Sequence, residues 1–332
     1  MSDVAARAGV SRALVSTVFR GVPGASPVTR ERVLTAAADL GYQVDNRARM
    51  LRRNRTQTLG VVFQIQYAFH CDLVEALYPA AEEAGYHIIL SAATAARSEL
   101  NAAEQLLLDR CEALVIIGPQ MPELQLTSLA ARVPTIVTSR RITDPAIDLV
   151  MTADKEVVEM ALNHLITLGH TNIAHLDGAK IFGAVDRRRW YKNIMKQRKL
   201  ADFIRILDGG NTEIEGVRAA EALLRGSAAL PSAVVCFNDS VAIGFMFGLR
   251  QAGIRVPENV SVIGYDDIHI AGLPFISLTT VSQDVTATAK AAVDHALGRL
   301  DRGALPGASW VSPYLVHRST TLPTSGQSSW LD

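Results

Sequence analysis

Most of the residues able to do binding chemistry in this sequence stand at the ends of short apolar runs. Asp177, Asp208, the pair Asn238-Asp239, the pair Asp266-Asp267 and Gln283 each follow such a run. If the runs are parallel strands, their carboxyl ends border one crevice, and carboxylates and amides gathered there would hold a small polar molecule. Asp239 directly precedes the helical stretch SVAIGFMFGL and is expected to cap it, whereas Asn238 and Asp266 have no such duty and are the stronger ligand candidates. A second cluster, Asp186-Arg187-Arg188-Arg189-Trp190-Tyr191, opens a helical pattern. Three consecutive arginines cannot share one helix face, so one is expected to turn into the crevice. There it would offer a planar fork to vicinal hydroxyls or to a carboxylate.

Reaction chemistry has little support. The sequence holds no glycine-rich phosphate loop with Lys-Ser/Thr, no GxGxxG, no GxSxG and no HExxH. Asp266 and Asp267 are adjacent and leave a strand end in opposite directions, so they cannot flank a bond as paired catalytic carboxylates. His164 and His170 lie on either side of a helix end, and the other histidines are dispersed. All are read as surface or structural residues. Cys71, Cys111 and Cys236 form no CxxC pair and are read as buried thiols. The expectation is a binding protein with no enzyme activity, no cofactor and no metal.

The charge distribution points to a second partner. The net charge is zero over 332 residues, yet residues 1–55 carry ten arginines, no lysine and four acids, a net of +6. A local excess of this size suits a phosphate-facing surface. No leader-like segment and no apolar run near 18 residues is found, so a soluble cytoplasmic protein is expected, with no membrane partner.

The elements that would position these residues follow from periodicity. Residues 3–8 place Val4, Ala5 and Ala8 on one helix face, Gly9 permits a tight turn, and Ser11 reads as the cap of a second helix through Phe19. A third helix is capped by Ser26 with Pro27 at its first position, and Val33, Leu34, Ala37 and Leu40 form its expected buried stripe. Two helices broken at 8–11 cross steeply and leave the exposed face of the second free to enter a groove. Residues 45–55, DNRARMLRRNR, read as a linker whose order depends on what it touches.

From Thr58 onward, nine strand candidates (59–65, 86–92, 113–118, 135–139, 148–152, 172–178, 203–209, 233–239 and 260–267) alternate with helical patterns such as 73–84, 100–111, 157–168, 217–225 and 240–252. Continuous apolar strands alternating with helices predict an α/β fold of parallel sheets covered on both faces. Nine strands are many for one sheet, so two lobes of four to six strands each are expected.

Several blocks, in order, resemble the LacI/GalR family of transcriptional regulators over nearly the whole chain. They are DVAARAGVS with Val15-Ser16, TRERVLTAAADLGY (29–42), LGVV (59–62), HLITLGHTNIAHLDG (164–178), FNDSVAIG (237–244), VSVIGYDD (260–267), LTTVSQD (278–284) and LVHRSTT (315–321). The resemblance implies an all-α helix-turn-helix headpiece at 1–44 and a hinge helix at 45–56. It further implies a core like the periplasmic sugar-binding proteins at 57–322 and a tail at 323–332. The core would be two discontinuous lobes, one near 57–152 and 284–312, the other near 153–283 and 313–322. Such proteins are homodimers or tetramers that bind a pseudo-palindromic operator in double-stranded DNA and sense a small-molecule effector, most often as repressors. By position, Arg12, Ala13 and Thr17 would read bases, Ser11, Ser16, Ser26 and Thr29 would contact phosphates, and Ala48 and Leu51 would enter the minor groove from the hinge. Phe69, Asp72, Arg187, Asn211, Asn238, Asp266 and Gln283 would bind the effector.

The sequence departs from the family pattern at several points. Leu14 replaces the usual Thr, Thr17 a frequent Arg and Arg20 a common Asn. Val44-Asp45 stands where Pro-Asn is expected, and Val158 replaces a frequent Gly. Only Met1-Ser2 precede the DVA segment, so either Ser2 caps a shortened first helix or the true start lies upstream. The acid and amide groups of the site suit a polyhydroxylated sugar or its phosphate. A purine is the alternative, with Tyr67, Phe69 and Phe182 stacking on the base. A solute-binding protein without DNA function is a further alternative.

Overall fold

The computed structural model describes residues 1–19, 21–42 and 55–324. The chain divides into two compact units, one ending at Thr56 and one beginning at Gln57. The first holds α1 (Ser2–Ala8), α2 (Arg12–Phe19) and α3 (Pro27–Asp39). Gly9 ends α1 in the left-handed conformation at φ +62°, and the amide of Val10 reaches back to the carbonyl of Ala5 at 3.0 Å. Ser11 then accepts from the amide of Leu14 at 3.2 Å and starts α2. The core is made of small side chains, Val4, Ala8, Val15, Val18, Val33 and Ala37 among them, which lets three short helices approach closely.

The third helix corrects one expectation. Val33, Ala36 and Ala37 are its buried residues, whereas Leu34 and Leu40 are 49% and 45% exposed. Leu34 lies about 100° round the helix from Val33, and Leu40 falls past the last helical residue. Ser2 is inside α1 and no side chain caps that helix. Ser26 caps α3, accepting from the amide of Thr29 at 3.2 Å.

The second unit contains two six-stranded sheets. The first, in the order β11-β5-β4-β3-β1-β2, is built from β1 (Thr58–Gln64), β2 (His87–Ala93), β3 (Ala113–Ile117), β4 (Thr135–Thr138), β5 (Asp148–Thr152) and β11 (Ala308–Val311), all parallel. The second, in the order β12-β10-β9-β8-β6-β7, is built from β6 (Ile173–Asp177), β7 (Arg205–Asp208), β8 (Ala233–Cys236), β9 (Ser261–Asp266), β10 (Thr280–Ser282) and β12 (Tyr314–Val316). Only β12 runs antiparallel, against β10. The chain passes between the sheets near residues 153, 283 and 312, so each lobe is assembled from separate stretches of sequence.

Nine of these twelve strands are legible as apolar runs in the sequence. The others, β10, β11 and β12, have three or four residues each, and β11 and β12 are partly exposed, so neither makes an apolar run. In the first lobe the sheet is flanked by α4 (Ala68–Glu83), α5 (Glu99–Leu108), α6 (Glu123–Ala130) and α11 (Val285–Arg302). In the second it is flanked by α7 (Asp154–Thr167), α8 (Ala184–Gln197), α9 (Glu213–Arg225) and α10 (Asp239–Gln251). The closest helix pair is α9 with α10. A β-carbon on Gly244 would stand 1.9 Å from the Glu213 carbonyl oxygen, and one on Gly216 2.2 Å from that of Val241. Contact between the backbones fixes where α10 begins, and its first residues border the crevice between the lobes.

Candidate functional site

The crevice between the lobes opens a cavity of about 650 Å³ that is continuous with solvent. Six of the seven residues expected there line it: Phe69 from α4, Arg187 from α8, Asn211 and Asn238 from the loops before α9 and α10, Asp266 from the end of β9, and Gln283 from the third crossing region. Arg187 is the inward arginine of its cluster. Its Nε donates to Asp154 at 2.9 Å and its Nη1 to the Phe237 carbonyl at 2.7 Å, and its guanidinium lies 3.9 Å from the Tyr265 ring centroid. Burial opposes its charge, but Tyr265, Asp154 and Asp266 hold its pKa above the ordinary arginine value. Arg188 instead binds Asp177 at 2.8 Å, and Arg189 binds Asp186, three residues before it on the same helix, at 2.7 Å.

Asp266 sits at φ +116°, a conformation that side chains other than glycine rarely adopt. Its Oδ1 accepts from Gln283 Nε2 at 2.6 Å. Burial pushes its pKa up to about 7, against the lowering effects of Arg187 and Gln283, with Asp72 adding to the rise. The site therefore holds a carboxyl group balanced between two protonation states near neutrality. Asp267 turns the other way and binds Arg318 at 2.6 Å.

Two sequence expectations are corrected at the start of α10. Asn238, not Asp239, is the helix cap, with Oδ1 accepting from the Val241 amide at 2.9 Å. Its Nδ2 donates to the Asn211 side-chain oxygen at 2.6 Å, so capping duty and a place in the cavity wall coexist in one residue. Asp239 is fully buried and accepts from the Ile268 amide at 2.9 Å and from Thr280 Oγ1 at 2.6 Å. It sits against Gly264, where a β-carbon would stand 2.0 Å from its Oδ1. Asp239 thereby ties the loop that carries Asp266 to α10.

Asp72 is the seventh expected residue, and it is not in the cavity wall. It faces the other lobe, where Oδ2 accepts from the His269 amide at 2.9 Å. Its pKa is raised, chiefly by burial. Asp177 and Asp208 are also outside the wall. Cys71 is exposed, whereas Cys111 and Cys236 are buried.

His70, Gln120, Ser139 and Ser240 line the cavity without having been singled out from sequence, and Tyr67 and Phe182 join them. His70 is buried, which lowers its pKa to about 3 and keeps it neutral. Its Nδ1 accepts from the Gln64 amide at 3.1 Å, so the ring proton resides on Nε2. Among the described residues no group of three or more His, Cys, Asp or Glu side chains is placed to hold a metal, and no helix is long and apolar enough to cross a membrane.

In the first unit, Arg12 and Ala13 are exposed at the start of α2, and Thr17 donates from Oγ1 to the Ala13 carbonyl at 3.0 Å. Arg12 and Ser16, and likewise Ala13 and Thr17, are four residues apart and so lie on neighbouring rows of one helix surface. Ser11 and Ser26 use their side-chain oxygens as helix caps, and Ser26 Oγ and Thr29 Oγ1 are 2.9 Å apart. Ala48 and Leu51 lie outside the described residues, as does Arg20.

Comparison with known proteins agrees with both units. Residues 1–45 match the profile of the bacterial regulatory proteins of the lacI family, and residues 162–321 that of the periplasmic binding protein-like domain. The chain is 33% identical over 335 residues to the HTH-type transcriptional regulator GalR of Escherichia coli K12, covering 99% of this chain and 97% of that protein. A LacI transcriptional regulator from a Rhodococcus species superposes with a TM-score of 0.78 at 41% identity, over 80% of this chain and 99% of that one. The lac repressor dimer bound to operator and the anti-inducer ONPF superposes with a TM-score of 0.81 at 27% identity, over 96% and 98%. The chain belongs to the LacI/GalR family of bacterial transcriptional regulators.

Proposed function

We propose that this regulator is a cytoplasmic, homodimeric repressor without enzyme activity, that it binds a pseudo-palindromic operator, and that its effector is a sugar or sugar derivative held between the two lobes. One observation carries the effector reading. A planar cation, an acid and three amides, from Arg187, Asp266, Asn211, Asn238 and Gln283, converge on one cavity. That mixture of donors and acceptors matches vicinal hydroxyl groups, each of which both donates and accepts. In this reading Arg12, Ala13 and Thr17 contact base edges, Ser11, Ser16, Ser26 and Thr29 contact phosphates, and Ala48 and Leu51 act in the minor groove. Phe69 contributes an apolar wall, and Asp72 acts as a clasp between lobes.

An effector that favours one lobe arrangement shifts the population of DNA-binding dimers. A purine or nucleoside is the second reading, favoured by Tyr67 and Phe182 in the cavity wall. Thermal unfolding against a panel of sugars, polyols and nucleobases separates the two, because a ligand selective for the native state raises its stability. A rise with sugars alone supports the first reading, and a rise with nucleobases alone replaces it.

A further inference from the structure

The cavity has a second compartment, reached past Phe182, Arg187 and Gln283, which border both. Its walls include Arg140 and Arg141, which follow β4 in the first lobe, and Gly183 and Asp186 at the start of α8 in the second. We infer that this compartment binds an oxyanion, a phosphate or carboxylate carried by the effector, between Arg140, Arg141 and the N-terminus of α8. The inference rests on the sugar reading above and extends it to an anionic sugar derivative.

Two independent observations converge. Arg140 is 7% exposed, and its Nη1 is committed to the carbonyls of Pro119 at 2.9 Å and Met121 at 2.5 Å. Its Nε is buried without a hydrogen-bond partner, and the hydrogen bonds described for the side chain leave Nη2 unused. These two nitrogens form the side-on edge of a guanidinium, the edge that meets a carboxylate or phosphate with two parallel hydrogen bonds. The second observation comes from the opposite lobe. α8 starts at Gly183, φ +89°, with no side-chain cap, and the amides of Val185 and Asp186 donate to no acceptor among the described residues. Free amides at the positive end of a 14-residue helix favour an anion. The Arg140 guanidinium lies 3.6 Å from the ring centroid of Phe182, next to Gly183, so cation and helix end share one compartment.

The local acids do not already fill this role. Asp154 is engaged by Arg187, and Asp186 by Arg189 at 2.7 Å. Glu99 and Glu123 bear on Arg140 electrostatically, but Glu99 accepts from the amides of Gln120 and Met121, and Glu123 from Thr143 and Asp144. Arg141 is exposed, with its guanidinium 5.3 Å from the Trp310 ring centroid, and adds a second positive charge at the mouth. An oxyanion here would bridge the lobes, and so would report on their closure.

The test uses calorimetric titration of the full chain with matched pairs: hexoses against their 1- and 6-phosphates, hexoses against the corresponding uronates and aldonates, and inorganic phosphate alone. At least one anionic member is expected to bind ten-fold or more tightly than its neutral parent. The phosphate and carboxylate arms identify which oxyanion is used. In Arg140→Met and Arg141→Gln that ratio is expected to collapse toward one. Arg141 is exposed, so its variant keeps the test decisive if Arg140→Met does not fold. Equal or weaker binding of every anionic member overturns the inference, as does a ratio unchanged in Arg141→Gln and in folded Arg140→Met. If no sugar binds but inorganic phosphate does, and the variants abolish that binding, the anion site stands and the sugar reading fails. If neither inorganic phosphate nor any anionic sugar binds, the inference is overturned.

Discussion

Replacing Arg187 with alanine tests the effector site through a residue whose structural and binding contributions can be separated. In the free protein Arg187 makes hydrogen bonds of 2.9 Å to Asp154 and 2.7 Å to the Phe237 carbonyl. The Asp154 side chain is 21% exposed, so water can take over part of what is lost, and the stability cost is placed at about 1–2 kcal/mol. The binding cost is larger. A hydrogen bond from a charged group contributes about 1.5–3 kcal/mol, which corresponds to roughly a ten- to hundred-fold loss of effector affinity. The assay combines calorimetric titration of the best panel ligand with fluorescence anisotropy on an operator duplex. Effector affinity should fall by that factor while operator affinity without effector stays within about two-fold of wild type, because Arg187 lies in the unit that begins at Gln57. Effector affinity unchanged within two-fold would remove Arg187 from the site and refute the reasoning.

Four further outcomes are expected. The pKa of Asp266 is raised to about 7 by burial, so between about pH 4 and 7 the folded chain keeps a proton that the unfolded chain has lost. Stability should fall as pH rises through that range, and Asp266→Asn should remove this group's share of the fall in thermal unfolding, leaving the shares of Asp72, Asp177 and Asp239. Effector hydroxyls favour the carboxylate, so binding should tighten between about pH 6 and 8 with proton release, and titration in buffers of different ionisation enthalpy measures it. Gly244→Ala forces a β-carbon within 1.9 Å of the Glu213 carbonyl and should cost about 3 kcal/mol or more through displacement of α9 from α10, seen as a lowered unfolding midpoint. Arg12→Ala should lose about 1–3 kcal/mol of discrimination at one operator position, read by competition between operator variants, whereas a uniform loss across all sequences would assign Arg12 to phosphates.

The apolar strands were legible because a parallel strand buried on both faces writes itself as a continuous run, as β3 does with five fully buried residues. β11 and β12 escaped notice because partial exposure breaks the run. Arg187 could be foreseen as one of three arginines with different helix azimuths, though which one turned inward came from the resemblance. The cap falls on Asn238 and not on Asp239 as expected, because adjacent Asn and Asp both suit a helix cap. Only tertiary structure brings Thr280 and the Ile268 amide to Asp239. The contact of Asp72 across the lobes is illegible for a related reason, since its partner His269 is 197 residues away and no local pattern records it. His70 gave no signal at all. A single histidine in a helix reveals neither that its Nδ1 takes a backbone amide nor that burial keeps it neutral.

The central claim is that occupancy of the crevice and occupancy of the operator are coupled, and coupling is reciprocal. The direct measurement is operator affinity by anisotropy, at fixed salt, with and without saturating effector, on a palindromic duplex selected from random sequence. A matching titration measures effector affinity with and without that duplex. The account predicts that both affinities change by the same factor, about 5- to 150-fold, and that random duplex of the same length binds far more weakly. Operator affinity indifferent to saturating effector, or equal binding to random duplex, would contradict it.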